Sequence, residues 1–152
     1  MRVVQAAGDF PGAVHEAAAV WYDVERWPRW VAGLASVHSA SEAWPEAGQV
    51  RWESGPAGRG VVVERVVSFE PLVGQTVEVE DDSIRGRQTV AFVPLDGDVA
   101  VTLRFAYELK RRSPLLALVD LLFIRRAMTQ SLEQTLSRFG AELQASRRPS
   151  VR

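Results

Sequence analysis

The 152-residue chain has no cysteine, which excludes disulfides, thiolate zinc sites and a cysteine nucleophile. Histidine is nearly as scarce. His15 and His38 are the only two, neither has a partner at ligand spacing, and no acids cluster with them, so no metal site is expected. Lysine occurs once, as Lys110, against seventeen arginines, a bias of composition rather than of mechanism. Eighteen basic residues face nineteen acidic ones, for a net charge of -1, and this balance points to no nucleic-acid partner and no polybasic anchor. Long apolar runs are missing too. The longest, Leu115 to Ile124, "LLALVDLLFI", reaches about half a membrane span and is broken by Asp120. Stable membrane insertion is therefore not expected, and "MRVVQAAGDFPG" lacks the pattern of a secretory signal. A cytoplasmic location is the expectation. There is no "G-x-S-x-G" elbow for a serine nucleophile. "GPAGRG", Gly55 to Gly60, has too few glycines in register for a dinucleotide fingerprint and opens no helix, so no cofactor is expected. It reads as a mobile hairpin loop able to rim a cavity entrance.

What is present is an ordered succession of periodic segments. "MRVVQAAGDF" reads as a short strand. Pro11 suits the first turn of a following helix with Asp9 as a nearby cap, and Val14, Ala17, Ala18 and Trp21 recur at helical spacing. Pro28 ends or restarts that helix, because it lacks an N–H and disfavours a helical conformation at Trp27. A second short helix is expected around Pro28 to Ala32. After Gly33 the texture turns to strands: "ASVHSASEA", "QVRWES", the β-branched "GVVVERVVSF", the alternating "QTVEVED", then "RQTVAFV" and "VAVTLRFAYEL". The last two are joined by "PLDGD", whose Asp-Gly is a favoured hairpin turn. From Ser113 the helical period returns as one long element with Pro114 at its first position. Its stripe runs through Met128, Leu132, Thr135 or Leu136, Phe139 and Leu143. No repeat or linker appears. Residues 1–146 are expected to form one domain and 147–152 a flexible tail.

Consecutive strands with short connections predict an antiparallel meander of about seven strands, and one long helix must cover its apolar face, giving an α+β domain. This order, together with "VWYDVERWPRWVAG", resembles the START-like, helix-grip superfamily, in particular its polyketide cyclase/dehydrase and lipid-transport branch. The resemblance covers essentially the whole chain. It implies a curved antiparallel sheet wrapped around the long C-terminal helix, two short helices after the first strand, and a hydrophobic cavity between sheet and helix.

Alternation along the strands then suggests which side chains face that cavity. In "GVVVERVVSF" the more apolar set is Val61, Val63, Arg65, Val67 and Phe69, which leaves Glu64 and Ser68 outside. In the last strand Val99, Val101, Leu103, Phe105, Tyr107 and Leu109 share the inner face. "VRW" turns Val50 and Trp52 inward. An inward Arg65 must find an acid or a ligand oxygen. It is either an anchor for a ligand carboxylate, phenolate or carbonyl, or the member of a rim salt bridge with Glu53 or Glu78. Tyr107 either donates to a bound carbonyl or fills the core. Trp52 offers a face for ring stacking or packs on the long helix. Trp27 and Trp30 read first as a latch between helix and sheet, with Trp30 the nearer to a ligand. The candidate ligand-binding set is Trp30, Trp52, Arg65, Phe69, Phe92, Phe105, Tyr107 and Met128, with Arg65 and Tyr107 catalytic if the protein is an enzyme.

The functional expectation is binding of a small hydrophobic molecule, such as a polyketide, isoprenoid or fatty acyl species. The alternative is a polyketide aromatase/cyclase that promotes aldol closure and dehydration in the same cavity. A third possibility assigns the apolar run 115–124 a transient membrane or protein contact, or a lid role. Either a monomer or a homodimer is compatible with these readings.

Overall fold

The computed structural model describes residues 2–55, 60–110, 113–119 and 123–147. Strand β1 (Arg2–Pro11) leads into helix α1 (Val14–Tyr22), a 3-10 turn (Val24–Arg26) and helix α2 (Trp27–Trp30). Six strands follow: β2 (Leu34–Ala40), β3 (Gln49–Ser54), β4 (Val61–Glu70), β5 (Gly74–Glu80), β6 (Ile84–Leu95) and β7 (Asp98–Leu109). The C-terminal region contains α3 (Pro114–Val119) and α4 (Arg125–Arg147). The seven strands form one curved antiparallel sheet in the order β1-β7-β6-β5-β4-β3-β2, the helix-grip arrangement. Helix α4 crosses β1 and also packs on α1 and α2.

Several local expectations change. Pro11 closes β1 instead of opening the helix, because Gly12 takes a positive φ of 135° and breaks the chain direction there. The α1 terminus is capped not by Asp9 but by Glu16, whose Oε1 accepts from Ala13 N–H at 3.0 Å. Asp96 and Gly97 both have positive φ, 30° and 92°, as the predicted tight hairpin between β6 and β7 requires. The long C-terminal helix is described as two stretches, α3 and α4. Asp120 and its neighbours 121–122 lie outside the described residues, as do residues 56–59 of the expected hairpin loop and 148–152 of the expected tail. Arg147, placed in that tail by the sequence, is the last residue of α4 and pairs with Glu16 at 3.3 Å.

The core is an aromatic knot. Phe139 of α4 meets Trp21, Trp30 and Phe10 edge-on, at 5.1, 5.2 and 5.7 Å between centroids. Such edge contacts add to the area buried and fix relative orientation. Two indoles also close the end of α1. Trp27 Nε1 donates to the Trp21 carbonyl at 2.8 Å and Trp44 Nε1 to the Tyr22 carbonyl at 3.0 Å. These carbonyls belong to the last turn, which has no intrahelical donor left for them. Outside the core, Leu115, Leu118 and Phe123 in and beside α3 are exposed, Leu115 by 71%. Among the described residues no helix is long and apolar enough to cross a membrane.

Candidate ligand cavity

Between the sheet and α4 lies a cavity of about 90 Å³. Strands β3 to β7 provide its floor through Trp52, Glu64, Val77, Val79, Gln88, Val90, Leu103 and Phe105, while Trp21, Trp27, Trp30, Met128 and Thr135 form walls from the helices. Its shape follows from local rules. Pro28 restarts the chain as α2, which turns both Trp27 and Trp30 inward. The main chain after α2 is tied to α4 where Ala32 N–H donates to Thr135 Oγ1 at 3.0 Å. Gly86 on β6 leaves space for Phe105: a Cβ there would stand 2.9 Å from Phe105 Cε1, so the ring lies across the glycine.

Of the sequence-derived set, Trp30, Trp52, Phe105 and Met128 line this cavity. Phe69 and Phe92 do not. They flank Tyr22, at ring distances of 5.4 and 6.2 Å, and Phe92 meets the cavity-lining Trp21 edge-on at 6.1 Å from outside the cavity. Tyr107 is fully buried and stacked on Phe105 at 5.6 Å, but it stands behind the cavity wall. Arg65 is on the wrong face for its expected role. It is exposed, opposite Glu78 of β5 in the strand register. The inward set of β4 begins Val62, Glu64, so the expected facing is off by one residue, and a one-residue slip turns every side chain over. Beyond Val66 a bulge interrupts the alternation, which is how Phe69 regains partial burial. Arg65→Ala is accordingly expected to leave binding in the cavity within about twofold of wild type, as for other surface changes; isothermal titration with a bound ligand checks this.

Glu64 is the cavity residue that strand patterning missed. It is 7% exposed, sits between Val50 of β3 and Val79 of β5, and accepts from Trp52 Nε1 at 2.7 Å through Oε2. Burial pushes its carboxyl up to about 7, with the Trp52 hydrogen bond pulling weakly the other way. Among the described residues no other side chain lining the cavity titrates. Of the other polar groups in the lining, Gln75 Nε2 donates to the Pro45 carbonyl at 2.9 Å and Thr135 holds Ala32, whereas the buried Trp30 Nε1 has no hydrogen-bond partner. His38 is remote, paired with Glu53 on the surface at 3.0 Å. Among the described residues no group of three or more His, Asp or Glu could hold a metal ion.

The family described as polyketide cyclase / dehydrase and lipid transport matches residues 1–144. Solved structures share the fold at low identity. A protein of Thermus thermophilus is 18% identical, with a TM-score of 0.80 over 97% of this chain and 100% of that one. A START superfamily protein of Mycobacterium smegmatis is 13% identical, with a TM-score of 0.76 over 95% and 98%. The di-domain aromatase/cyclase StfQ of the steffimycin biosynthetic pathway is 16% identical, with a TM-score of 0.74 over 95% of this chain and 51% of that one. No curated protein matches.

Proposed function

The chain belongs to the polyketide cyclase/dehydrase and lipid-transport family, and from that premise we propose that it binds a small hydrophobic molecule between its sheet and α4. The observation that carries this reading is an inner cavity walled by four tryptophans and Phe105, with a single titratable group among the described residues. Ligand sites are typically apolar with a few placed polar groups. Trp30, Trp52, Phe105 and Met128 are the contact residues. Membership in the family supports either hydrophobic-ligand binding or a cyclase/dehydrase role.

The size of the cavity refines the ligand. Drug-sized sites commonly span about 300–1,000 Å³, whereas this one offers about 90 Å³. The fitting ligand is compact, on the order of a single ring, with the unbranched Met128 as the adjustable wall. Longer polyketide or acyl chains need α4 to move away from the sheet. Native mass spectrometry of protein purified from its own host is expected to show a co-purifying apolar molecule. Met128→Trp, which fills the cavity, is expected to abolish that mass while circular dichroism stays unchanged. An unliganded wild type that also fails to bind toluene in titration overturns the reading.

A second reading, cyclisation with dehydration, is favoured by one observation: a buried carboxyl inside the cavity. Its expected catalytic pair does not support it, since Arg65 is outside and Tyr107 lies behind the wall. Glu64 would have to serve as both base and acid.

A further inference from the structure

We propose that the polar end of the ligand is a hydrogen-bond donor, a hydroxyl or an ammonium, received by Glu64, and that carboxylate ligands are rejected where Glu64 is ionised. This inference rests on the binding reading above and specifies its chemistry. The sign of the site decides it. With Arg65 outside, no cationic side chain among the described residues lines the cavity, and among them the one group able to ionise is an acid. Oε2 of Glu64 is held by Trp52, and among the described residues no other hydrogen bond reaches this carboxyl. The carboxyl therefore has acceptor capacity left for a ligand donor.

Where Glu64 is ionised, an anionic ligand would bring a second carboxylate beside the first with no counter-charge from the described residues, and two carboxyls sharing one site cannot both ionise; a protonated Glu64 could instead donate to it. An ammonium has the opposite experience. It would pair with the ionised Glu64, in a cavity lined by Trp21, Trp27, Trp30 and Trp52, side chains of the type that attract cations. A hydroxyl would donate to Glu64 without a change of charge. The two donors differ in their dependence on pH. Pairing with an ammonium requires the ionised acid, whose carboxyl is pushed up to about 7. Ammonium binding should therefore strengthen about tenfold per pH unit as pH rises toward 7 and then level off, while hydroxyl binding should change little.

The test uses four probes that share one ring, titrated calorimetrically into the intact protein from pH 5.5 to 8: toluene, benzyl alcohol, benzylamine and benzoate. Expected at pH 8 is binding of benzyl alcohol or benzylamine at least tenfold tighter than toluene, with benzoate at least tenfold weaker. A pH-dependent preference for benzylamine identifies the ammonium; a flat preference for benzyl alcohol identifies the hydroxyl. In Glu64→Gln the benzylamine preference and its pH dependence should vanish while toluene binding persists, with circular dichroism confirming the fold. Benzoate binding as tightly as benzyl alcohol at pH 8, or a probe ranking unmoved by E64Q, overturns the inference. If toluene binds and all four probes are equal, only this inference falls; if none of the four binds, the binding reading falls with it.

Discussion

Replacing Trp30 with alanine is expected to lower stability by about 3–5 kcal/mol, the usual range for removing a large buried aromatic side chain. Trp30 is 1% exposed and sits between Trp21, at 4.8 Å, and Phe139, at 5.2 Å. Its removal opens a hole where α1, α2 and α4 meet, and the pinned ends of these elements limit how far they can close it. Domains of this kind are stable by only about 5–15 kcal/mol, so the variant loses a large share of the total. Urea unfolding followed by far-ultraviolet circular dichroism measures the effect. Leu118→Ala, at an exposed site on α3, is the control and should stay within about 0.5 kcal/mol. A loss below about 1 kcal/mol in Trp30→Ala would show that the aromatic knot does not hold α4 in place.

The second large effect is a gain. Glu64 has its pKa raised on folding, from 4.5 to about 7. As pH climbs through that window the unfolded chain releases its proton before the folded one does, so folding stability falls. The penalty is fully present above pH 7 and amounts to about 3 kcal/mol at 1.36 kcal/mol per pKa unit. Glu64→Gln keeps an oxygen to accept from Trp52 and carries no charge to desolvate. The variant is therefore expected to match wild type near pH 4.5 and to exceed it by about 3 kcal/mol at pH 8. For a domain of this size that corresponds to roughly 6–12 °C in melting temperature. Thermal melts of both proteins from pH 4.5 to 8 decide the matter. Parallel curves across that range would mean that Glu64 ionises as freely in the folded protein as in the unfolded chain.

Much of the fold was legible because the signals were local and redundant. The β-branched strands, the Asp-Gly hairpin at 96–97 and the inward set of β7 from Val99 to Tyr107 all follow from period two and turn chemistry. The restart at Pro28 was equally plain. The facing of β4 was not, because "VVVERVV" offers an acid or an arginine as the inward residue and the apolar count favours the wrong one. Ionisation chemistry points the other way. A carboxyl can shed its charge by taking a proton when buried, whereas a guanidinium cannot be neutralised in a protein. That argument would have turned Glu64 inward. The cavity volume, by contrast, has no local signature. It is the residue of how α2 and α4 settle over the sheet, a sum of long-range contacts such as Ala32 to Thr135 and Arg29 to Glu142. The separation of Phe69 and Phe92 from the cavity depends in the same way on Tyr22, more than forty positions earlier in the chain.

The placement of the tryptophans has an optical consequence. All five indoles of the protein, at positions 21, 27, 30, 44 and 52, lie in one region: four line the cavity, and Trp44 touches Trp27 at 5.6 Å. The tryptophan fluorescence of the molecule thus originates at the site and immediately beside it. Trp52 rests its ring nitrogen on Glu64, whose carboxyl burial pushes up to about 7, so the emission should itself titrate with Glu64 and shift as a guest meets the rings. The protein carries its own label where a ligand would report most.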